Sequence, residues 1–166
     1  MKLDEAKIKF IQTWGALGSN WGISKTMAQV HALLMISKEP LCTEEIMETL
    51  NISRGNTNMT VRSLIDWGLV YREVKVGDRR EFFRGEKDIY KVGKQIVKIR
   101  REREVQPVIN LLNSLQEIDE NNNESEEFKK QMKEIADFTK RSDELVGKLV
   151  EADENWFGKM MIKLMK

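Results

Sequence analysis

The sequence predicts a mainly helical fold that contains one small β-hairpin. Only two of the 166 residues are proline, and apolar residues recur every three or four positions through most of the chain. Between Leu41 and Arg84, a short helix, a three-residue turn, a second helix and a basic hairpin follow one another without a gap. This order of elements predicts a winged helix-turn-helix, an arrangement that presents one helix to a DNA groove.

Two helices are predicted before this segment. The first runs from about Asp4 to Leu17 and is broken by the sequence Gly18–Gly22. The second covers about Lys25 to Ile36, because its apolar residues keep helical spacing and Ser24 is a good N-terminal cap.

The two helices of the helix-turn-helix are short. Thr43 is expected to cap the first, with acidic residues in its opening turn, where the helix dipole favours negative charge. Ser53 is expected to cap the second by accepting a hydrogen bond from the N–H of residue 55 or 56, and Gly68 to end it. Gly55 weakens a helix by roughly 1 kcal/mol relative to alanine, so we interpret it as allowing close approach to a phosphate.

The second helix has an apolar face that is expected to pack inward and a polar face suited to DNA bases. Arginine pairs with guanine edges and asparagine with adenine edges, and each good pair discriminates by roughly 1–3 kcal/mol. The predicted DNA-binding residues of this helix are Ser53, Arg54, Gly55, Asn56, Asn58 and Arg62.

The hairpin is predicted from strand-like composition in 70–76 and 81–83 around a Gly77-Asp78 turn. Its tip exposes Arg79 and Arg80, which suit the negative potential of a narrow minor groove. Asp78 is expected to hold one of these arginines in a fixed pose through a charge-assisted hydrogen bond.

Two long helices are expected after the hairpin, over about Glu86–Ile118 and Glu126–Leu164, and Pro107 should kink the first about a turn before it. The sequence therefore divides into a DNA-binding domain, residues 1–85, and a dimerisation and effector region, residues 86–166. Because the apolar seams of these helices need more partner surface than one small domain offers, we expect a homodimer.

Charge is distributed unevenly, although the formal net charge of the chain is only +1. The segment from Ser53 to Arg84 contains seven basic and four acidic residues. The segment from Glu117 to Asp137 contains eight acidic residues and three lysines. A basic DNA-binding end and an acidic far end are the pattern expected for a localised nucleic-acid contact.

Composition argues against several other classes. A single cysteine, Cys42, excludes an internal disulfide, and one histidine, His31, leaves too few ligands for a zinc site. We expect Cys42 to be inert and His31 to be a structural, hydrogen-bonded residue.

No nucleophile–base pair or phosphate-binding glycine loop is recognisable, so no enzymatic activity and no cofactor are expected. The charged N-terminus and the absence of a long apolar run predict a cytoplasmic protein that does not bind membranes.

The tryptophans allow two interpretations. Phe10, Trp14 and Trp21 could form an aromatic cage that binds a quaternary ammonium effector through cation–π attraction. The alternative, and the commoner arrangement, is that they pack between the DNA-binding domain and the long helices.

The runs SRGN, LIDWGLV and GDRREFF, with WGALGSNWGISKTMAQVHALL upstream, resemble the GbsR-type branch of the MarR-like winged-helix transcriptional regulators. The resemblance covers about Phe10 to Tyr90. It implies dimers that bind operator DNA, often as repressors, and some members sense choline or glycine betaine. Carried over to this chain, it places Ser53, Arg54, Asn56 and Asn58 in the major groove and Arg79 and Arg80 at the minor groove.

These observations predict a homodimeric, sequence-specific DNA-binding regulator of transcription that recognises a near-palindromic operator, with choline-like molecules as candidate effectors. The alternative is a winged-helix module that binds another protein and not DNA.

Overall fold

The computed structural model describes residues 1–20 and 22–151. The chain divides into two compact units, Met1–Gln95 and a second that begins at Ile96. The helices are α1 (Leu3–Asn20), α2 (Lys25–Ile36), α3 (Thr43–Leu50), α4 (Arg54–Asp66), α5 (Ile89–Arg100), a π-helix (Arg101–Val105), α6 (Gln106–Ser114) and α7 (Asn123–Glu151). The strands are β1 (Leu41–Cys42), β2 (Val70–Val74) and β3 (Glu81–Gly85).

The first unit is a winged helix-turn-helix, as the sequence predicts. Helices α3 and α4 form the helix-turn-helix, and β2, β3 and the turn between them form the wing, residues 70–85. The core lies where α2, α3, α4 and the sheet meet, and its largest fully buried side chains include Val30, Leu34, Ile46, Val61, Leu64 and Val70.

The sheet has three antiparallel strands in the order β1-β3-β2, one more than the predicted hairpin. The additional strand is only two residues long, with Leu41 opposite Phe83 and Cys42 opposite Phe82. A strand this short has no recognisable period in the sequence, so it was not predicted. It joins the start of α3 to the middle of β3.

This strand also corrects the predicted cap of α3. Cys42 occupies the N-cap position, and Thr43 is the first helical residue. The backbone N–H of Cys42 donates to the Glu45 carboxylate, Oε2, at 2.7 Å. Pairing with β3 keeps Cys42 extended, so the cap lies one residue earlier than the predicted Thr43.

Helix α1 continues three residues past its predicted end. Gly18 was expected to break the helix, but it is buried inside it. A Cβ at Gly18 would lie 2.4 Å from the Cβ of Ala28 on α2. The glycine therefore allows two helices to approach each other closely, and the helix ends only at Asn20.

The predicted long helix over Glu86–Ile118 begins later and is interrupted. It starts at Ile89, because Asp88 accepts hydrogen bonds from the N–H groups of Tyr90 and Lys91 at 3.0 and 3.3 Å. The π-helix ends two residues before Pro107, in the turn where the sequence predicts a kink, because proline has no N–H to donate.

In the second unit, α6 packs against α7 around Ile109, Leu112 and Ala136. The Arg101 guanidinium binds the Asp143 carboxylate through Nε–Oδ1 at 2.6 Å and Nη2–Oδ2 at 3.0 Å. Arg101 lies within 2.9 Å of where a Cβ of Gly147 would be, so this glycine makes room for the guanidinium. The predicted final part of the last helix, including Gly158, lies outside the described residues.

Candidate nucleic-acid interface

Helix α4 begins as the sequence predicts. Ser53 is its N-cap, and the Ser53 hydroxyl accepts a hydrogen bond from the N–H of Asn56 at 3.3 Å. Gly55 lies exposed in the first turn, and a Cβ built on it would meet no atom within 4 Å. Because N–H groups in a first turn have no acceptor within their own helix, this end is suited to binding an anion.

The two faces of α4 differ as expected. Thr57, Val61 and Leu64 are buried, and Gly68, with φ of +66°, reverses the chain after the helix. The outward side carries the predicted DNA-binding residues Ser53, Arg54, Asn58 and Arg62, all of them exposed. Asn56 differs from them because it is half-buried and its Oδ1 accepts a weak hydrogen bond from Thr60 at 3.4 Å.

Two contacts join the first turn of α3 to the outward side of α4. The Glu44 carboxylate binds the Arg54 guanidinium through Oε1–Nη2 at 2.6 Å, and the Thr43 hydroxyl lies 3.4 Å from Oδ1 of Asn58. Hydrogen bonds from its own backbone N–H, from Cys42 and from Arg54 hold the pKa of Glu44 below its usual range. The sequence predicts only a helix-dipole role for Glu44, because an ion pair across ten residues depends on the packing of α3 against α4.

The wing turns at Gly77, where φ is +84°. Asp78 then accepts hydrogen bonds from the backbone N–H of Arg80 at 3.0 Å and from its Nη2 at 2.6 Å. These bonds, those of the side chain first, lower the pKa of Asp78 to about 2. The prediction that Asp78 fixes one arginine of the tip is confirmed, and that arginine is Arg80.

Arg80 is held from other sides as well. Its guanidinium carbon lies 5.3 Å from the centre of the Phe82 ring, and its Nη1 lies 3.6 Å from Sγ of Cys42. Lys75 Nζ lies 4.1 Å from the centre of the same ring. Arg79 is exposed, and no partner for its side chain is found among the described residues. The tip therefore presents one pre-oriented arginine beside one that is not held by such contacts.

Along the stem of the wing, basic and acidic side chains neutralise each other. Arg72 lies 3.6 Å from the Glu81 carboxylate, and Arg84 forms a bidentate ion pair with Glu73. Two of the basic residues counted in the sequence are therefore paired with acids along the strands. The net positive charge of the wing therefore lies at its tip, where Lys75, Arg79 and Arg80 outnumber the single acid, Asp78.

The candidate effector residues are described only in part. The rings of Phe10 and Trp14 lie 5.4 Å apart at 33°, and Trp14 lies 6.4 Å from the ring of His31 at 50°. Trp21, the third predicted member of the cage, lies outside the described residues. The contact of Phe10 with Trp14 is compatible with either interpretation, a cage or simple packing.

His31 is buried, which agrees with a structural role. The expected hydrogen bond is not found at Nε2, which has no partner among the residues that the structure describes. Burial lowers the pKa of His31 to about 4, so the imidazole is neutral at pH 7. Cys42 is also buried, and burial raises its thiol pKa, which agrees with an unreactive thiol.

Two other kinds of site are not found in the described part of the chain. None of its helices has the length and apolarity needed to span a membrane. Within the same ranges, no group of three or more histidine, cysteine or carboxylate side chains is placed to hold a metal ion.

Comparison with known proteins agrees with this geometry. Residues 21–81 match the model of the MarR family. The match spans α2, α3, α4 and most of the wing, the segment that carries the predicted DNA-binding residues. No curated protein sequence matches the chain.

Solved structures also resemble this fold. A crystal structure of a transcriptional regulator superposes with a TM-score of 0.58 at 16% identity, covering 86% of this chain and 99% of that one. At this identity the match establishes the winged-helix fold alone.

Two further structures are less similar. Transcriptional regulator Tm0710 from Thermotoga maritima has a TM-score of 0.41 at 16% identity, covering 83% of this chain and 92% of that one. A mutant of S. aureus MepR bound to an oligodeoxyribonucleotide has a TM-score of 0.41 at 17% identity, with coverage of 80% and 89%.

Proposed function

We propose that this chain is a sequence-specific DNA-binding regulator of transcription. The main observation that supports this proposal is that two sets of DNA-binding candidates are exposed on one compact unit. They are Arg54, Asn58 and Arg62 on α4, and Arg79 and Arg80 on the wing tip. An exposed helix with guanine- and adenine-pairing side chains, next to a basic protrusion, suits simultaneous contact with a major and a minor groove. The match of residues 21–81 to the MarR family model supports the same interpretation.

In this proposal, α4 enters the major groove with its N-terminal turn toward the phosphates. Ser53 and Gly55 position the backbone, while Arg54, Asn56, Asn58 and Arg62 face the bases. The wing inserts Arg79 and Arg80 toward the minor groove. The half-buried position of Asn56 makes it the least accessible of these side chains, so its contribution is expected to be smaller than that of Asn58.

We further propose that the regulator is a homodimer that binds a near-palindromic operator and represses transcription. The described part of the second unit exposes large apolar side chains, among them Leu111, Phe138 and Leu145 at 56%, 74% and 63% of their full accessibility. Phe138 and Leu145 are seven residues apart on α7 and therefore share one face of the helix, which suits contact with a second copy that would pair the two DNA-binding domains. Light scattering at micromolar concentration checks this, and a monomer mass contradicts it.

The assignment to the GbsR-type branch, with a choline- or betaine-like effector at Phe10, Trp14 and Trp21, is also part of this proposal. It rests on the sequence resemblance and on the contact between the Phe10 and Trp14 rings. Millimolar choline should quench tryptophan fluorescence, and Trp14→Leu should remove most of the change. An unchanged fluorescence spectrum in the wild-type protein would contradict the effector proposal. It would leave the proposal of DNA binding unaffected.

The experiment that tests the proposed function is selection of bound sequences from a random duplex pool, with and without choline. The expected result is an enriched near-palindrome whose half-sites lie about one helical turn apart. Recovery of the starting pool at low salt would instead favour the alternative, a winged helix that binds a protein.

A further inference from the structure

The first turn of α3 contains an ion-pair partner for a residue on the outward side of α4. Glu44 and Arg54 are each the first or second residue of their helices, and their side chains meet at 2.6 Å. The Arg54 side chain is 62% exposed and that of Glu44 is 40% exposed, so both are accessible to a ligand. The pair is therefore located where DNA would contact α4, and it is not buried in the core.

We propose that Glu44 is a specificity-determining residue that directs Arg54 toward a base edge and away from phosphate; this inference rests on the proposed function. Arginine has five N–H donors, and Glu44 engages the guanidinium at Nη2 only. The remaining donors can still form the two-bond pair with O6 and N7 of guanine.

The selectivity follows from charge. An unpaired arginine at a helix N-terminus binds any nearby phosphate, and such contacts carry no sequence information. A phosphate approaching Arg54 would also approach the Glu44 carboxylate, and the repulsion lowers its affinity by about threefold in a solvated groove. A guanine edge is neutral and experiences no such penalty.

The neighbouring contact acts in the same direction. Thr43 lies 3.4 Å from Oδ1 of Asn58, one turn further along α4 than Arg54. The two residues that begin α3 thus contact two of the predicted base-reading residues. Held side chains discriminate better than mobile ones because wrong contacts cannot be reached by a change of rotamer.

The test compares two affinities for each variant, one for the selected duplex and one for a scrambled duplex of equal length and composition. Glu44→Gln keeps the shape of the side chain and removes its charge. Glu48→Gln is the matched control, because Glu48 carries the same charge on the same helix, is exposed, and has no described contact with α4. Thermal unfolding of each variant verifies that the fold is retained.

The expected result is that Glu44→Gln strengthens binding to the scrambled duplex by about threefold and lowers the specific-to-scrambled ratio by at least about threefold. Glu48→Gln should leave the ratio unchanged. In an Arg54→Ala background, Glu44→Gln should have no further effect on the ratio, since its action passes through Arg54.

The inference would be overturned if Glu44→Gln strengthened binding to both duplexes equally, or if Glu44→Gln and Glu48→Gln changed the ratio equally. Either result would mean that Glu44 acts only through the general charge of the protein. A loss of folding stability accompanied by uniform loss of binding would make Glu44 a structural residue instead. If the wild-type protein binds no duplex at low salt, the proposed function itself fails, and that outcome is distinct from both.

Discussion

Gly55 offers a test in which stability and DNA binding are expected to move in opposite directions. It is the second residue of α4, it is exposed, and a Cβ at this position would meet no atom within 4 Å. Replacing glycine by alanine in a helix stabilises it by up to roughly 1 kcal/mol. For a chain of 166 residues, Gly55→Ala should therefore raise the melting temperature by roughly 1–4 °C.

The same methyl group is expected to weaken DNA binding. In the proposed complex, the first turn of α4 donates backbone N–H groups to a phosphate, and an added Cβ would hold the phosphate away. Loss of one hydrogen bond to a charged group costs roughly 1.5–3 kcal/mol. Fluorescence anisotropy should therefore show at least about tenfold weaker binding to the selected duplex.

Gly93→Ala is the matched control for this experiment. Gly93 lies inside α5, is exposed, and would also accept a Cβ with no atom within 4 Å. It should gain similar stability and keep its DNA affinity. If Gly55→Ala binds DNA as tightly as Gly93→Ala does, the close approach of this turn to a phosphate is wrong.

Three further predictions concern the fold and the wing. Gly85→Ala should lower the melting temperature by several degrees, because the added Cβ would lie 2.8 Å from backbone atoms of Leu34 and Met35. Such overpacking costs roughly 1–3 kcal/mol. An unchanged melting temperature would contradict this contact. The pKa of His31 in the folded state is about 4, below its unfolded value, so protonation favours the unfolded chain. The free energy of unfolding, measured with urea, should therefore be highest above about pH 6.5 and fall by up to about 3 kcal/mol toward pH 4. His31→Leu should remove that portion of the pH dependence, and an identical profile would refute the assignment. NMR should show the Asp78 carboxyl titrating near pH 2. Its stabilising bond to Arg80 is then present above about pH 4 and is lost only as the pH falls toward 2. A titration midpoint near pH 4 would mean that Asp78 does not hold Arg80 in solution.

The sequence was a good guide where one local signal determines the structure. The Ser24 and Ser53 caps and the Gly68 stop were located correctly, since each depends on hydrogen bonds within a few residues. The Asp78–Arg80 bond was anticipated for the same reason. The apolar face of α4 was also recognisable from its helical period alone.

Features that depend on distant segments were missed or misplaced. Strand β1 exists because two residues pair with β3 some forty positions later, and this pairing moved the cap of α3 from Thr43 to Cys42. Local sequence predicts a helix break at Gly18, because the proximity of Ala28 depends on the packing of α1 against α2. The Glu44–Arg54 pair was likewise hidden, since two exposed charges ten residues apart have no preferred relation until α3 packs on α4.

The central claim, that α4 and the wing together bind duplex DNA, is tested most directly by the salt dependence of duplex affinity for the wild type and for Arg79→Ala/Arg80→Ala. Binding to phosphates releases counterions, so the logarithm of the association constant should fall linearly with the logarithm of salt concentration. The double variant should bind more weakly and show a slope shallower by up to about 2, since each lost phosphate contact removes roughly 0.9. Absence of binding at low salt, or a slope and affinity unchanged in the double variant, would contradict the account.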